Sequence, residues 1–132
     1  ELASIMNRSF CGVFPSRAEG WNLEALEMMS CGKEVIITNY SAHTEFCNNE
    51  NSHLIDIIEE EPIYDGKWFV GDNGTWACLD NHPYDQLISH FKTIYNKWKD
   101  NPYYINQRGI DTSKKLSWEN AANNILNIME RD

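Results

Sequence analysis

Two carboxylates, Glu19 and Glu27, stand with seven residues between them in the stretch FPSRAEGWNLEALEMMSCGKEVIIT, residues 14–38. Ser16, Arg17 and Gly20 lie beside the first of them. An ionised carboxylate is an acceptor and can take two O–H donors, so a pair of them suits the hydroxyls of a sugar rather than a phosphate. A phosphate needs the opposite: N–H groups at a helix start and a placed cation, which Arg17 can supply. Glu27 falls about five residues into a helix, roughly 7 Å along its axis at about 1.5 Å per residue. A molecule with polyol groups on either side of a diphosphate has that layout. Glutamates at a helix start also arise simply because the helix dipole favours them, so both readings stand on spacing alone.

The flanking elements must hold that stretch in place. Phe10-Cys-Gly-Val-Phe14 is a compact apolar run ended by Pro15 and reads as a buried strand. Leu23, Leu26 and Met29 give one helical face, and Gly32 after Cys31 is its stop. Val35-Ile-Ile-Thr38 is β-branched and apolar on both faces, the pattern of a parallel strand between helix layers. Strand, helix and strand form a βαβ unit, and the ligand crevice of such a sheet lies beyond the carboxyl ends of its strands. Pro15 to Leu23 would sit there, with Gly20 letting the backbone come close to a ligand.

Further along, Leu2, Ile5 and Met6 have helical spacing, and His53–Ile57 reads as a third strand broken by Glu59-Glu-Glu61-Pro62. Lys67–Val70 and Thr75–Cys78 flank Gly71-Asp-Asn-Gly74, which predicts a hairpin turning at those glycines, with Trp68 and Trp76 packed on each other. Tyr84, Leu87, Ile88, Phe91, Ile94, Tyr95 and Trp98 mark a long amphipathic helix. Pro102 is expected to open another, running to about Lys115. Ser117 is expected to cap a last helix carrying Trp118, Ala122, Ile125 and Met129 on one face. These aromatic and aliphatic stripes are read as core. The organisation expected is a strand-helix-strand core over 1–58, an inserted loop or hairpin over 59–80, and C-terminal helices over 81–132.

The 132 residues amount to one domain at most, and 42% hydrophobic residues with five Trp are enough to fill a core. A net charge of −9 argues against nucleic acid or an anionic membrane as partner. Cys11, Cys31, Cys47 and Cys78 form no C-x-x-C pair, so a zinc site is not expected and free thiols in the cytoplasm are. His43 and Glu45 are close in sequence but lack a second His at ligand spacing, so His43 is read as a hydrogen-bonded loop histidine. There is no signal peptide and no apolar run long enough to span a bilayer, and Glu1-Leu2 reads as the middle of a longer chain.

The run Pro15-Ser-Arg-Ala-Glu-Gly-Trp-Asn-Leu-Glu-Ala-Leu-Glu-Met-Met-Ser-Cys-Gly32 resembles the donor-site motif of the retaining GT-B glycosyltransferases, group 1 (family four). That pattern runs Pro-Ser, two variable residues, Glu-Gly-Phe-Gly, a second Glu at the spacing of Glu27, then Ala-Met-Ala-Cys-Gly and an apolar strand. The likeness continues through Val35 to Glu45 and, more loosely, at Gly74–Ala77 and Leu116–Glu119. Asn22 stands where the family usually has Gly, Glu24 where it often has Pro, and Ala42 where Gly is common.

The resemblance implies an α/β fold: a Rossmann-like half sheet of parallel strands flanked by helices, forming the C-terminal part of a GT-B donor domain. It implies that Glu19 is the catalytic carboxylate at the transferred sugar and that Glu27 holds the ribose. Ser16, Arg17, Gly20, Trp21, Asn22 and Leu23 would complete the donor-binding set. The substrate implied is a nucleotide diphosphate sugar, with no cofactor and no essential metal, and the acceptor (glycan, lipid or protein) is left open. Only half of one of the family's two domains is matched, so the isolated chain is expected to be inactive. It is also expected to expose the edge of its first strand, through which two copies could pair. A binding or scaffold module of the same descent is the competing reading. A receiver-like signalling domain is disfavoured, since it needs an acidic cluster at the end of the first strand.

Overall fold

The structure, a computed structural model, describes residues 1–130, leaving aside the side chains of residues 72 and 73. Its organising element is the strand β2 (Glu34–Asn39), in which every residue from Glu34 to Thr38 is buried. Strands β1 (Cys11–Phe14) and β3 (His53–Asp56) pair with it in parallel on either side, in the order β1-β2-β3. Val13 lies opposite Ile36, and Ile37 opposite Leu54. Successive side chains of a strand point to opposite faces, and β2 fills both. Val35 and Ile37 join Ala25, Leu26, Met28 and Met29 of helix α2 (Leu23–Ser30), together with Met6, Phe46 and Cys47. Ile36 joins Ile55 and Ile94 of helix α3 (His82–Asp100) on the other face. The result is an α/β fold with a three-stranded parallel sheet between helices, as the two apolar runs predict.

Helix α1 (Leu2–Arg8) precedes β1 and buries only Met6. The C-terminus of α2 explains Gly32. The N–H of Gly32 bonds to the Met29 carbonyl at 2.9 Å, and that of Lys33 to the Met28 carbonyl at 3.1 Å, the double bond of a Schellman stop. Gly32 has φ +70°, and a Cβ there would come within 2.8 Å of the Ile105 side chain.

Helix α4 (Gln107–Lys115) begins five residues later than Pro102 predicts. Asn106 is the reason. Its side chain accepts the Gly109 N–H at 3.0 Å and donates to the Asn51 carbonyl at 2.8 Å, while its own N–H bonds to the Gly32 carbonyl at 2.9 Å. This tertiary tie fixes the helix start more firmly than the local proline signal. Helix α5 (Trp118–Met129) is capped by Ser117 as expected.

The antiparallel ribbon of β4 (Glu60–Tyr64) and β5 (Val70–Ala77) differs from the predicted hairpin. Glu60 to Pro62 do not merely end β3 but form a strand of their own. The chain reverses over 65–69, where Asp65 Oδ1 accepts the N–H groups of Lys67, Trp68 and Phe69. Gly71 and Gly74 do take positive φ, but within β5, where the register shifts. Trp76 meets Phe69 edge-on at 6.5 Å, and Trp68 stays 76% exposed.

The helical stripes are also less buried than predicted. Of the α3 stripe only Ile94 is buried, with Leu87 packed beside it, while Tyr84, Ile88, Phe91, Tyr95 and Trp98 remain exposed. On α5 none is buried, and Trp118 is 85% exposed. The cause is width: three strands about 4.8 Å apart offer a face about one helix across. Among the described residues β1 and β3 each pair on one side only, so the sheet covers no more of α3.

One charged group lies at the opposite end of the sheet. Glu34 is nearly buried, ion-paired with Lys97 and 3.5 Å from His53 Nε2. Burial pushes its carboxyl up, but hydrogen bonds from His53 and Lys97 outweigh this and hold it below the usual range. The stabilisation is therefore present above the unfolded carboxylate pKa and lost as pH falls through the lower folded one.

Two outcomes follow for stability. Ile37→Ala should cost about 3 kcal/mol, read as a lower urea midpoint at unchanged slope. Lys97→Met leaves Glu34 underpaired and should cost about 1–2 kcal/mol at neutral pH, the modest size reflecting a half-exposed lysine. It should also flatten the acid limb of the stability profile below about pH 4.5, measured by urea titration at several pH values.

Candidate functional site

The loop of residues 15–22 leaves the carboxyl end of β1 and enters α2, beside the short 3-10 turn Ser41–Glu45 that follows β2. The loop is tied both to β2 and to that turn. Thr38 Oγ1 donates to the Ser16 carbonyl at 2.8 Å, and the Glu19 N–H donates to Ser41 Oγ at 2.9 Å. Ser16 Oγ donates to Glu19 Oε1 at 2.8 Å, so the half-buried Glu19 carboxylate is held by its own loop.

Asn22 sets the start of α2. It has φ 74° and ψ 72°, the left-handed region that Gly and Asn tolerate best, which is why Asn serves at this position. Its side chain is buried rather than projecting from the loop, and Oδ1 accepts the Ala25 N–H at 3.1 Å. Its Nδ2 lies 3.0 Å from His43 Nε2. His43 is fully buried, with Nδ1 3.0 Å from the Thr38 carbonyl and 3.2 Å from Thr38 Oγ1. Burial lowers the basicity of its imidazole, against the opposing pull of the Thr38 carbonyl and the Glu19 charge.

Arg17 is already engaged. Its guanidinium pairs with Glu61 of β4 and lies 5.1 Å from the ring centre of Trp76, which itself donates to Glu61 at 3.0 Å. The Arg17 carbonyl accepts the Ala77 N–H at 2.9 Å, so the ribbon is docked on this loop.

Of the residues singled out from sequence, Ser16 and Glu19 touch one another, and Trp21 packs on Phe46 at 5.4 Å. Leu23 is exposed in the first turn of α2. Glu27 is exposed on α2 and has no ion pair among the described residues. Gly20 is exposed, and a Cβ there would meet no atom within 4 Å. Sequence reasoning did not find Ser41, Thr38 or Glu61 as partners of the loop, nor the part His43 plays beneath it. Their contacts span 21 to 44 residues and leave no local pattern. Among the described residues no cluster of His, Cys, Asp and Glu could hold a metal ion, and no helix is long and apolar enough to cross a membrane.

Residues 1–63 match the family described as Glycosyl transferases group 1. Over 130 residues the chain is 29% identical to the uncharacterized glycosyltransferase MJ1178 of Methanocaldococcus jannaschii, covering 98% of this chain and 30% of that protein. Over 116 residues it is 25% identical to the uncharacterized glycosyltransferase MJ1607 of the same organism, covering 88% of this chain and 24% of that one. The chain therefore spans about a quarter to a third of the length of these relatives. No solved structure matches it. The first half of the chain, which carries Glu19, Glu27 and the loop between β1 and α2, is thus similar to the group 1 glycosyl transferases.

Proposed function

We propose that the loop 15–22 and the start of α2 form the donor-binding part of a glycosyltransferase that moves a sugar from a nucleotide diphosphate sugar to an acceptor hydroxyl with retention. The observation that carries this reading is the Glu19 carboxylate, oriented by Ser16 beside the start of a helix whose exposed face presents Glu27. Asn22 takes the Ala25 N–H, and among the described residues no acceptor bonds to those of Leu23 and Glu24. In this reading those N–H groups are the ones that meet the diphosphate, with the helix dipole behind them. Gly20 supports the same reading. Among the described residues no atom explains the missing side chain there, whereas a ligand passing close to the backbone would.

In this scheme Glu19 accepts hydroxyls of the transferred sugar and Glu27 those of the ribose. The N–H groups stabilise charge developing on the departing diphosphate, and no metal is needed for that. The acceptor hydroxyl must be held on the same face by residues beyond this chain, so the chain alone binds donor without turning it over. A diphosphate would compete with Glu61 for Arg17. That pair, with Glu24 in the first helical turn, favours a second reading in which the module keeps the fold but binds no donor.

Calorimetric titration with UDP, GDP and their glucose and mannose conjugates separates the two. Saturable binding that Glu27→Ala abolishes is expected, and absence of binding by every one of these ligands would favour the second reading. Gly20→Ala should leave the urea midpoint unchanged within about 0.5 kcal/mol while weakening nucleotide binding at least about tenfold. Equal affinity in that variant would remove Gly20 from the site.

A further inference from the structure

One buried imidazole lies under both ends of the loop. His43 is 0% exposed and reaches Asn22 with one nitrogen and Thr38 with the other. Asn22 is the last loop residue before α2, and Thr38 Oγ1 holds the Ser16 carbonyl at the loop's beginning. Ser16 in turn holds Glu19.

The hydrogen bonds leave one arrangement of protons. Ala25 N–H is a donor, so the Asn22 atom facing it must be Oδ1. The atom facing His43 is then the Asn22 amide NH2, also a donor, and His43 Nε2 must offer a lone pair. The proton of the neutral ring therefore sits on Nδ1 and points at the Thr38 carbonyl. Thr38 Oγ1 spends its own proton on Ser16, so it too can only accept from Nδ1. Every polar atom in this chain of contacts is satisfied, and no buried side-chain polar atom among the described residues lacks a partner.

A second proton on the ring breaks that chain at a definite place. It would set Nε2–H against the Asn22 NH2 across 3.0 Å. Turning the Asn22 amide over relieves that contact but sets NH2 against the Ala25 N–H and destroys the helix cap. No orientation of Asn22 serves both neighbours once His43 is charged. Among the described residues the charge acting on the ring is that of Glu19, while its other neighbours Asn22, Thr38 and Phe46 are neutral.

We infer that His43 is a positioning residue for the loop 15–22, holding it in its binding shape only while neutral with the proton on Nδ1. Its relevance to donor binding rests on the proposed function, but the coupling of His43 to the loop does not. The same linkage acts on stability. Below the unfolded imidazole pKa, about 6.5, the unfolded chain takes a proton that the folded chain refuses, so stability falls as pH drops from there toward the lower folded value.

Nuclear magnetic resonance of the labelled chain from about pH 7.5 to about pH 4.5 tests this directly. The expected result is the Nδ1–H form at neutral pH, followed by a joint shift of the backbone amides of Ser16 to Asn22 and Ala25 with the His43 ring. His43→Gln, whose Oε1 can still accept from Asn22, should lose that joint shift. UDP affinity should fall at least about tenfold over the same pH range in the wild type and much less in the variant. An Nε2–H form, a ring that titrates while the loop amides stand still, or a loop transition that persists in His43→Gln would each overturn the inference. The wild-type titration needs neither a folded variant nor a bound nucleotide. A chain that binds no UDP at any pH would count against the donor reading, and the loop amides would still decide the role of His43.

Discussion

A single strand that must be buried on both faces dictates most of this molecule. Val35, Ile36, Ile37 and Thr38 have no exposed surface, and fully burying each of the larger side chains contributes about 1.5–3 kcal/mol. That gain requires a helix on each face and a strand on each edge. α2 and α3 supply the faces, β1 and β3 the edges. Parallel pairing then brings the carboxyl ends of all three strands to one side of the sheet. The loop after β1 and the turn after β2 meet there, so the chemistry-bearing residues are neighbours because the strand between them is covered.

The site itself is held by polar contacts, not by apolar burial. Ser16, Glu19, Ser41, Thr38, His43 and Asn22 form one connected set of hydrogen bonds. In a low-dielectric interior such a set is firm when complete and costly when one member changes its proton count. The ribbon adds a second layer, since Glu61 and Trp76 occupy the guanidinium of Arg17. A chain of net charge −9 thus keeps one of its few cations at the loop by shielding it with a carboxylate.

What was legible in the sequence is what local pattern determines. Val35–Thr38 announces a doubly buried strand because every residue is apolar or β-branched, and Gly32 announces a stop because only a residue at ease with positive φ closes that helix well. The place of the loop, between the carboxyl end of β1 and the start of α2, was legible as well, from the apolar runs on either side of it. The reversal at Asp65 was not, because Gly71-Asp-Asn-Gly74 carries the stronger local turn signal, and only the pairing of Glu61 with Trp76 shifts the turn away from it. The start of α4 escaped for the same kind of reason: Asn106 answers to Asn51 and Gly32, both distant in sequence. The stripe on α5 shows the limit of periodicity. It reports which side of a helix is apolar, and leaves open what, if anything, lies against it.

That last helix has a consequence for how the molecule comes apart. α4 is knitted into the core, with the buried Gly109 set against Met29 and Asn106 joining three segments. α5 buries no residue, so its twelve residues depend on the Ser117 cap, on the bonds from the Asn120 side chain to the Lys114 and Lys115 carbonyls, and on local propensity. A helix of that length is marginal by itself in water. α5 should therefore open at a lower free energy than the sheet, fraying and re-forming while the sheet stays folded.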